Sequence, residues 1–214
     1  VDFSGPVNDR AVLHIDNCYH LPHMRVVSHR CRTNTQSSTA FRGFGGPQGM
    51  LGIETVIEEI ARTLGRDPLE VRRLNLYRSP ADSGQPLSMT TPYGQVIEDF
   101  IAPAVLDELA QRSGWAERRA QVRAHNAANP VRKRGLALAP LKFGISFTAT
   151  MLNQAGALVL VYQDGSVVVN HGGTEMGQGL NTKMAQVAAD GLGVPLARVR
   201  VTGTDTQKVP NASA

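Results

Sequence analysis

The sequence predicts an α+β protein with mixed sheets and helices. Three features carry that expectation. Helix-period apolar spacing and helix caps fill the middle of the chain, from Pro47 to Pro130. Apolar runs broken by an Asp-Gly dipeptide fill the part after Arg134. Two glycine-rich stretches, "GFGGPQG" from Gly43 and "GGTEMGQG" from Gly172, each lead straight into a helical pattern.

Taken in order, "AVLHIDNCYHL" (11–21) alternates like a strand, and "MRVVSHRCRT" (24–33) suggests another, joined across Pro22. "NTQSST" (34–39) is a polar loop. The next segment has Pro47 in a first helical turn, where a missing N–H costs nothing. Met50, Ile53, Ile57, Ile60, Ala61 and Leu64 follow at three- and four-residue steps, and Gly65 is a stop. "DPLEVRRLNLY" opens a second helix, with Asp67 as N-cap and Glu70 in the capping-box position. A third is expected over Val96–Arg112, distorted at Pro103 and ending near Gly114. A fourth is "WAERRAQVRAHNAAN", stopped by Pro130. After that "KRGLALAPLKFGISFTAT" and "GALVLVYQDGSVVVNHGG" look strand-rich, with Asp164-Gly165 as a hairpin turn. "LNTKMAQVAADGLG" is helical by period, and "ARVRVTGT" is one more strand. A division into residues 1–133 and 134–214 follows from this change of texture.

Composition narrows the function. The chain has 214 residues, 42% of them hydrophobic and 19% charged, enough to bury a core. The net charge of +4 is spread out and aromatics are 5%, so single-stranded nucleic acid finds little to stack on. No apolar run approaches the roughly 18 residues of a membrane span. Two cysteines, Cys18 and Cys31, are too few for a disulfide framework and fit a reducing, cytoplasmic compartment. The His/Cys cluster of His14, Cys18, His20, His23, His29 and Cys31 matches no compact zinc spacing, and alternation would put His14, Asp16, Cys18 and His20 on one strand face. The chain opens "VDFSGP" without a methionine and stops at "VPNASA", so we expect a fragment of a longer polypeptide.

Each glycine loop could cradle an anion, because a helix start offers N–H groups and a positive dipole end, and glycine allows close approach. Known nucleotide fingerprints fail. Neither loop carries the P-loop lysine, and the Gly-x-Gly-x-x-Gly pattern breaks at Gln48 and Thr182. The side chains nearby are Arg42, a permanent planar cation, and Phe44, able to stack on a flat ring. "KFGISFT" adds Phe143, Phe147 and the Thr148 hydroxyl, and Gln178 can both donate and accept. Singly, each also fits a bland reading, with the phenylalanines in a core and Arg42 in a surface ion pair.

Longer stretches carry a resemblance. "DRAVLHIDNCYHLP", "CRTNTQSSTAFRGFGGPQGMLGIE", "KFGISFTATMLNQAGALVLVYQDGSVVVNHGGTEMGQGLNTK" and "VPNASA" closely resemble the molybdenum-binding part of the xanthine dehydrogenase family, most closely its bacterial form, in which that part is a separate subunit. The resemblance covers essentially the whole chain. It implies two molybdenum-cofactor-binding domains, the first in part (1–133) and the second at its start (134–214). It implies a Mo-molybdopterin cofactor and hydroxylation of hypoxanthine and xanthine to urate. Electrons would pass through 2Fe-2S clusters and FAD, on a partner subunit or another segment, to NAD. A higher-order oligomer is expected.

By the same resemblance, Arg10 contacts the purine and stabilises the charge growing on it. Arg42 stands at the molybdenum centre without being a direct side-chain ligand, with Gly43 of its loop on the cofactor. Phe44 and Phe147 sandwich the purine, Thr148 offers a substrate-side hydroxyl, and Gly177 and Gln178 hold the cofactor. Aldehyde oxidases of the family usually lack the arginine matched by Arg10. Carbon monoxide dehydrogenases carry a cysteine in the loop matched by Thr39–Phe44, and this loop has none. Both points favour a purine over an aldehyde or another N-heterocycle. A binding or assembly module without catalysis is the reading from a different class. The family's general-base glutamate would lie beyond residue 214 and a second substrate glutamate before residue 1, so the fragment alone is expected to be inactive. Glu175 replaces neither and is expected to be structural.

Overall fold

The computed structural model describes residues 3–78, 89–144, 147 and 149–208. The chain forms two compact units, Val1–Gly144 and Ile145–Ala214. Among the described residues there are six α-helices and one three-stranded sheet, so the fold is mixed α+β.

In the first unit, α1 (Ser4–Leu13) runs into the first residues of the segment expected to be a strand. The expected strand 11–21 is therefore wrong. Its first residues finish α1, and successive turns close through His14 N–H to Ala11 O, Asn17 N–H to His14 O and Tyr19 N–H to Asp16 O. Burial decides this: His14, Asp16, Asn17, Cys18 and Tyr19 are all buried, which a half-buried strand with one wet face could not achieve. Tyr19 makes only an isolated bridge, to Leu76. Residues 24–33 also form no strand; they are largely exposed and lack a ladder.

The helices expected next are present. α2 (Gly46–Leu64) has Pro47 in its first turn and ends on Gly65, whose φ of 63° is left-handed. α3 (Pro68–Asn75) is capped by Asp67, which accepts from Leu69 N–H at 2.8 Å. Glu70 instead pairs with Arg66. α4 (Ala102–Arg112) is shorter than expected and begins next to Pro103. A proline disfavours helix in the residue before it, so it starts this helix instead of kinking a longer one. Residues 90–96 upstream form a small turn, with Thr91 N–H bonded to Gln95 O. α5 (Trp115–Ala128) follows after Gly114. The core of this unit is Cys18, Tyr19, Ile57, Ala61, Leu69, Val71, Leu76, Leu106, Ala110, Trp115 and Leu138.

The segment 140–144 is strand-like in sequence, but no strand forms among the described residues of 134–149. Side chains of residues 10–17 grip it at every second position. Asn17 Nδ2 donates to Pro140 O (3.0 Å), and Lys142 N–H donates to Asn17 Oδ1 (3.0 Å). Lys142 Nζ meets Asp16 Oδ2 (2.5 Å), and Gly144 is held by His14 and Arg10. A half-buried carboxylate is satisfied in the same way: Glu54 accepts from Asn17 Nδ2 (2.9 Å) and Tyr19 OH (2.5 Å), and pairs with the buried Arg72 at 2.9 Å. Removing one partner of such a set leaves a desolvated charge, so the set is kept together.

The second unit holds the sheet. β1 (Ala157–Val161) and β2 (Val167–His171) form the expected antiparallel hairpin, with Val159 opposite Val169. Gly165 takes a φ of 77° in the turn, and Asp164 Oδ1 accepts from both the N–H and the hydroxyl of Ser166. β3 (Val199–Val201) runs parallel to β2, and α6 (Leu180–Leu192) makes the crossover between them. β2 is mostly buried, whereas all five residues of β1 are exposed. No described helix is long and apolar enough to cross a membrane. The histidines and cysteines of the expected polar strand face do not assemble, and no group of three metal-ligating side chains occurs among the described residues.

Candidate functional site

The glycines of the first loop are needed chiefly by packing. A β-carbon on Gly45 would lie 1.9 Å from Val7 O, and one on Gly49 2.3 Å from Ala11 O, both backbone atoms of α1. One on Gly46 would lie 2.5 Å from the Phe143 ring. The start of α2 therefore lies directly against the α1 backbone, at a distance only glycine permits. The opening turn is self-bonded, with Phe44 N–H to Phe41 O and Gly46 N–H to Gly43 O. Close approach to an anion is the expected use of these glycines; packing requires them as well, against the α1 backbone at Gly45 and Gly49 and against the Phe143 ring at Gly46.

That contact sets Arg10 beside Phe44. Arg10, near the end of α1, is 5% exposed. Its guanidinium carbon lies 5.8 Å from the Phe44 ring centre and 5.4 Å from that of Phe143, and Nη1 donates to Gly144 O at 2.7 Å. Both rings offer their π-electrons to the cation. Burial lowers the Arg10 pKa, yet an arginine stays protonated at neutral pH. Phe44 has a φ of 49°, which is costly for a bulky side chain by about 1–3 kcal/mol and clusters at working sites. Its ring also meets Phe3, at 6.1 Å.

His14 was assigned no role beyond the polar cluster, and it belongs to this site. Nδ1 lies 2.9 Å from Arg10 O, and Nε2 accepts from Gly144 N–H at 3.1 Å. An accepting Nε2 requires the proton on Nδ1, so the ring is neutral and donates to Arg10 O. Burial pushes its pKa down, and the charges of Arg10 and Lys142 push the same way. The signal was its place four residues after Arg10, which only a helical reading of the segment exposes.

The remaining expected residues fall in two groups. Arg42 is exposed, beside Gly43 with a φ of 94°. Gly177, Gln178 and Phe147 lie in the second unit. Phe147 is half-buried, its N–H and carbonyl both held by the Asn153 side chain at 2.7 and 3.0 Å. Thr148 lies outside the described residues. In the second glycine loop the Glu175 carboxylate accepts from the N–H groups of Gly177 (2.8 Å), Gly179 (3.1 Å) and Asn181 (3.1 Å). Gln178 accepts from Met176 N–H at 2.5 Å and donates to Thr174 O at 2.9 Å. The helix start expected to offer open amides to an anion thus has its own carboxylate there. Backbone bonds, led by that from Asn181, hold the Glu175 pKa below the usual carboxylate range.

The first unit thus sets a buried cation between aromatic rings beside a glycine loop at a helix start, and the second unit carries another glycine loop at a helix start. A model described as a molybdopterin cofactor-binding domain matches residues 1–76, and a second of the same description matches residues 108–214. The chain belongs to the molybdopterin cofactor-binding family.

It is 50% identical over 213 residues to a xanthine dehydrogenase of Drosophila subobscura and 48% identical over 213 residues to one of Emericella nidulans. To the xanthine dehydrogenase/oxidase of Gallus gallus it is 47% identical over 212 residues. These matches cover 99% or more of this chain, which spans about 15% of the length of each relative. Its fold is shared with the aldehyde oxidoreductase of Desulfovibrio gigas (TM-score 0.57, 24% identity, 97% of this chain and 22% of that one). The quinoline 2-oxidoreductase of Pseudomonas putida 86 is similar (TM-score 0.55, 23% identity, 97% and 27%).

Proposed function

We propose that this chain forms part of the substrate and cofactor wall of a molybdenum hydroxylase that converts hypoxanthine and xanthine to urate. The observation that carries this is the buried, ring-flanked Arg10 guanidinium. A fixed cation in a dry setting favours a substrate that gains negative charge as it reacts, and removing one such donor costs about 10²–10³ in rate. A purine ring gains such charge; a neutral aldehyde makes less demand on it.

Bound Mo-molybdopterin supplies the oxygen transfer and takes up the electrons. The residues present fit that group: the exposed Arg42 offers a planar cation to an anionic pterin phosphate or metal centre, and a β-carbon on Gly179 would meet nothing within 4 Å, leaving open space along the second loop. On this reading Arg42 and Gly43 approach the metal centre, and Gly177 and Gln178 line the cofactor from a loop already shaped by Glu175. Phe44, Phe147 and Thr148 are the residues we propose for purine contact. Arg10 holds the charge. Electrons leave through 2Fe-2S clusters and FAD, carried elsewhere in the whole protein or on a partner, within a cytoplasmic oligomer. The chain alone is inactive.

The test is Arg10→Met in the full-length enzyme, with molybdenum content measured alongside kcat/KM for xanthine and for a neutral aldehyde. A loss of about 10²–10³ for xanthine with a much smaller loss for the aldehyde is expected. Equal losses, or xanthine turnover that survives, would move the substrate to aldehydes or other heterocycles.

A further inference from the structure

Three groups close a ring of hydrogen bonds at the candidate site. Arg10 Nη1 donates to Gly144 O, Gly144 N–H donates to His14 Nε2, and His14 Nδ1–H donates to Arg10 O. Both polar groups of one peptide residue are therefore held from α1, one by the arginine side chain and one by the histidine that follows it by four. His14 is 7% exposed, and its ring lies 5.1 Å from Phe143, the residue before Gly144 and one of the two rings flanking the guanidinium. A β-carbon on Gly46 would reach 3.6 Å from His14 Cδ2, so the start of α2 closes the remaining side.

We propose that His14 is a positioning residue for substrate charge recognition: its imidazole fixes the Gly144 peptide and the Phe143 ring that together aim the Arg10 guanidinium at the ligand. The proposal rests on the reading of Arg10 given above. It goes beyond that reading by locating the aim of the cation in a histidine that need not touch substrate. Arginine has several rotamers of similar energy, and a cation flanked only by rings can slide across them. The Gly144 carbonyl removes that freedom, and Gly144 in turn stays in place because His14 holds its N–H. Only the neutral Nδ1–H ring can both accept and donate here; burial keeps it in that form. A leucine would fill the space and hold neither group. A glutamine keeps an acceptor for Gly144 N–H and a donor for Arg10 O.

The experiment uses the full-length, cofactor-loaded enzyme with His14→Leu and His14→Gln. Three quantities are read: molybdenum per protomer, kcat/KM for xanthine and for a neutral aldehyde, and the dissociation constant of urate, which requires no turnover. His14→Leu is expected to keep its molybdenum and to lose about 10- to 100-fold for xanthine, as a misplacement near 1 Å does. It should weaken urate by a similar factor and change aldehyde turnover by less than about threefold. His14→Gln is expected to recover most of the loss. The proposal is overturned if His14→Leu keeps wild-type xanthine turnover and urate affinity. It is also overturned if xanthine and aldehyde fall together, or if molybdenum falls in both variants, because His14 then serves only the fold. A wild-type enzyme that neither oxidises xanthine nor binds urate would instead overturn the purine reading, and this proposal with it.

Discussion

Two glycines three residues apart on α2 should respond oppositely to alanine. Gly52 is exposed, and a β-carbon there would meet only Ile15 Cδ1, at 3.9 Å. Gly52→Ala should therefore gain the ordinary helix preference of alanine over glycine, about 0.8–1 kcal/mol. Gly49 is buried, and its β-carbon would lie 2.3 Å from Ala11 O, 3.1 Å from Ala11 C and 3.2 Å from His14 C. These are backbone atoms, so no side-chain rotation relieves them. Since β-carbons essentially never approach closer than 3.0 Å, α1 and α2 must part by about 0.7 Å at this point. Overpacking of this kind costs about 1–3 kcal/mol, which outweighs the helix gain. Since both variants gain the helix preference, they should differ by the overpacking cost alone, about 1–3 kcal/mol. Because α1 carries Arg10, Gly49→Ala should also lower xanthine kcat/KM by tenfold or more, on the order expected for a shift near 1 Å. The assay is the half-life of thermal inactivation of the full-length enzyme, with molybdenum content and kcat/KM on the same samples. Equal half-lives for Gly49→Ala and Gly52→Ala would refute the close approach of the two helices.

Beyond Arg10→Met and the His14 pair, two further outcomes are expected. Glu175→Gln should speed hydrogen exchange at Gly177, Gly179 and Asn181 while leaving β2 protected. Because bonding lowers the Glu175 pKa, this order is complete at neutral pH and is lost only as pH falls below the ordinary carboxylate value of 4.5; protection that rises in acid would contradict it. Cys18 is fully buried, and burial pushes its thiol up to about 12, so iodoacetamide at pH 8 should leave it unlabelled in native protein and label it in denaturant. Labelling of native Cys18 would show that the turn between α1 and α2 opens.

Much of the fold was legible where local signals and packing agree. α2, α3, α5, the hairpin and α6 all have periodic apolar positions with a proline, glycine or aspartate at an end. α1 was illegible because it has little helical periodicity, its last residues begin a segment that looks like a strand, and its packing partners Gly45 and Gly49 lie far along the chain. The apolar run before Gly144 looked like a strand for a good physical reason. It is gripped at every second residue, but by side chains of Asp16, Asn17 and His14 instead of a neighbouring strand. At the site, Arg10 and Phe44 were marked by resemblance, and the structure puts their side chains together. The contribution of Phe143 and His14 was hidden because both depend on long-range contacts, across more than 120 residues, which no local pattern encodes.

The β1 strand has a consequence of another kind. Its Ala-Leu-Val-Leu-Val run is exposed on both faces, and among the described residues it pairs only with β2. An apolar, uncharged strand with a bare edge is an adhesive template for any other extended chain. Recombinant work on this stretch by itself should therefore meet concentration-dependent clumping, and a single lysine at Leu160, opposite the less buried Val168 and not opposite the buried Val167, Val169 or His171, is the economical way to keep it dispersed.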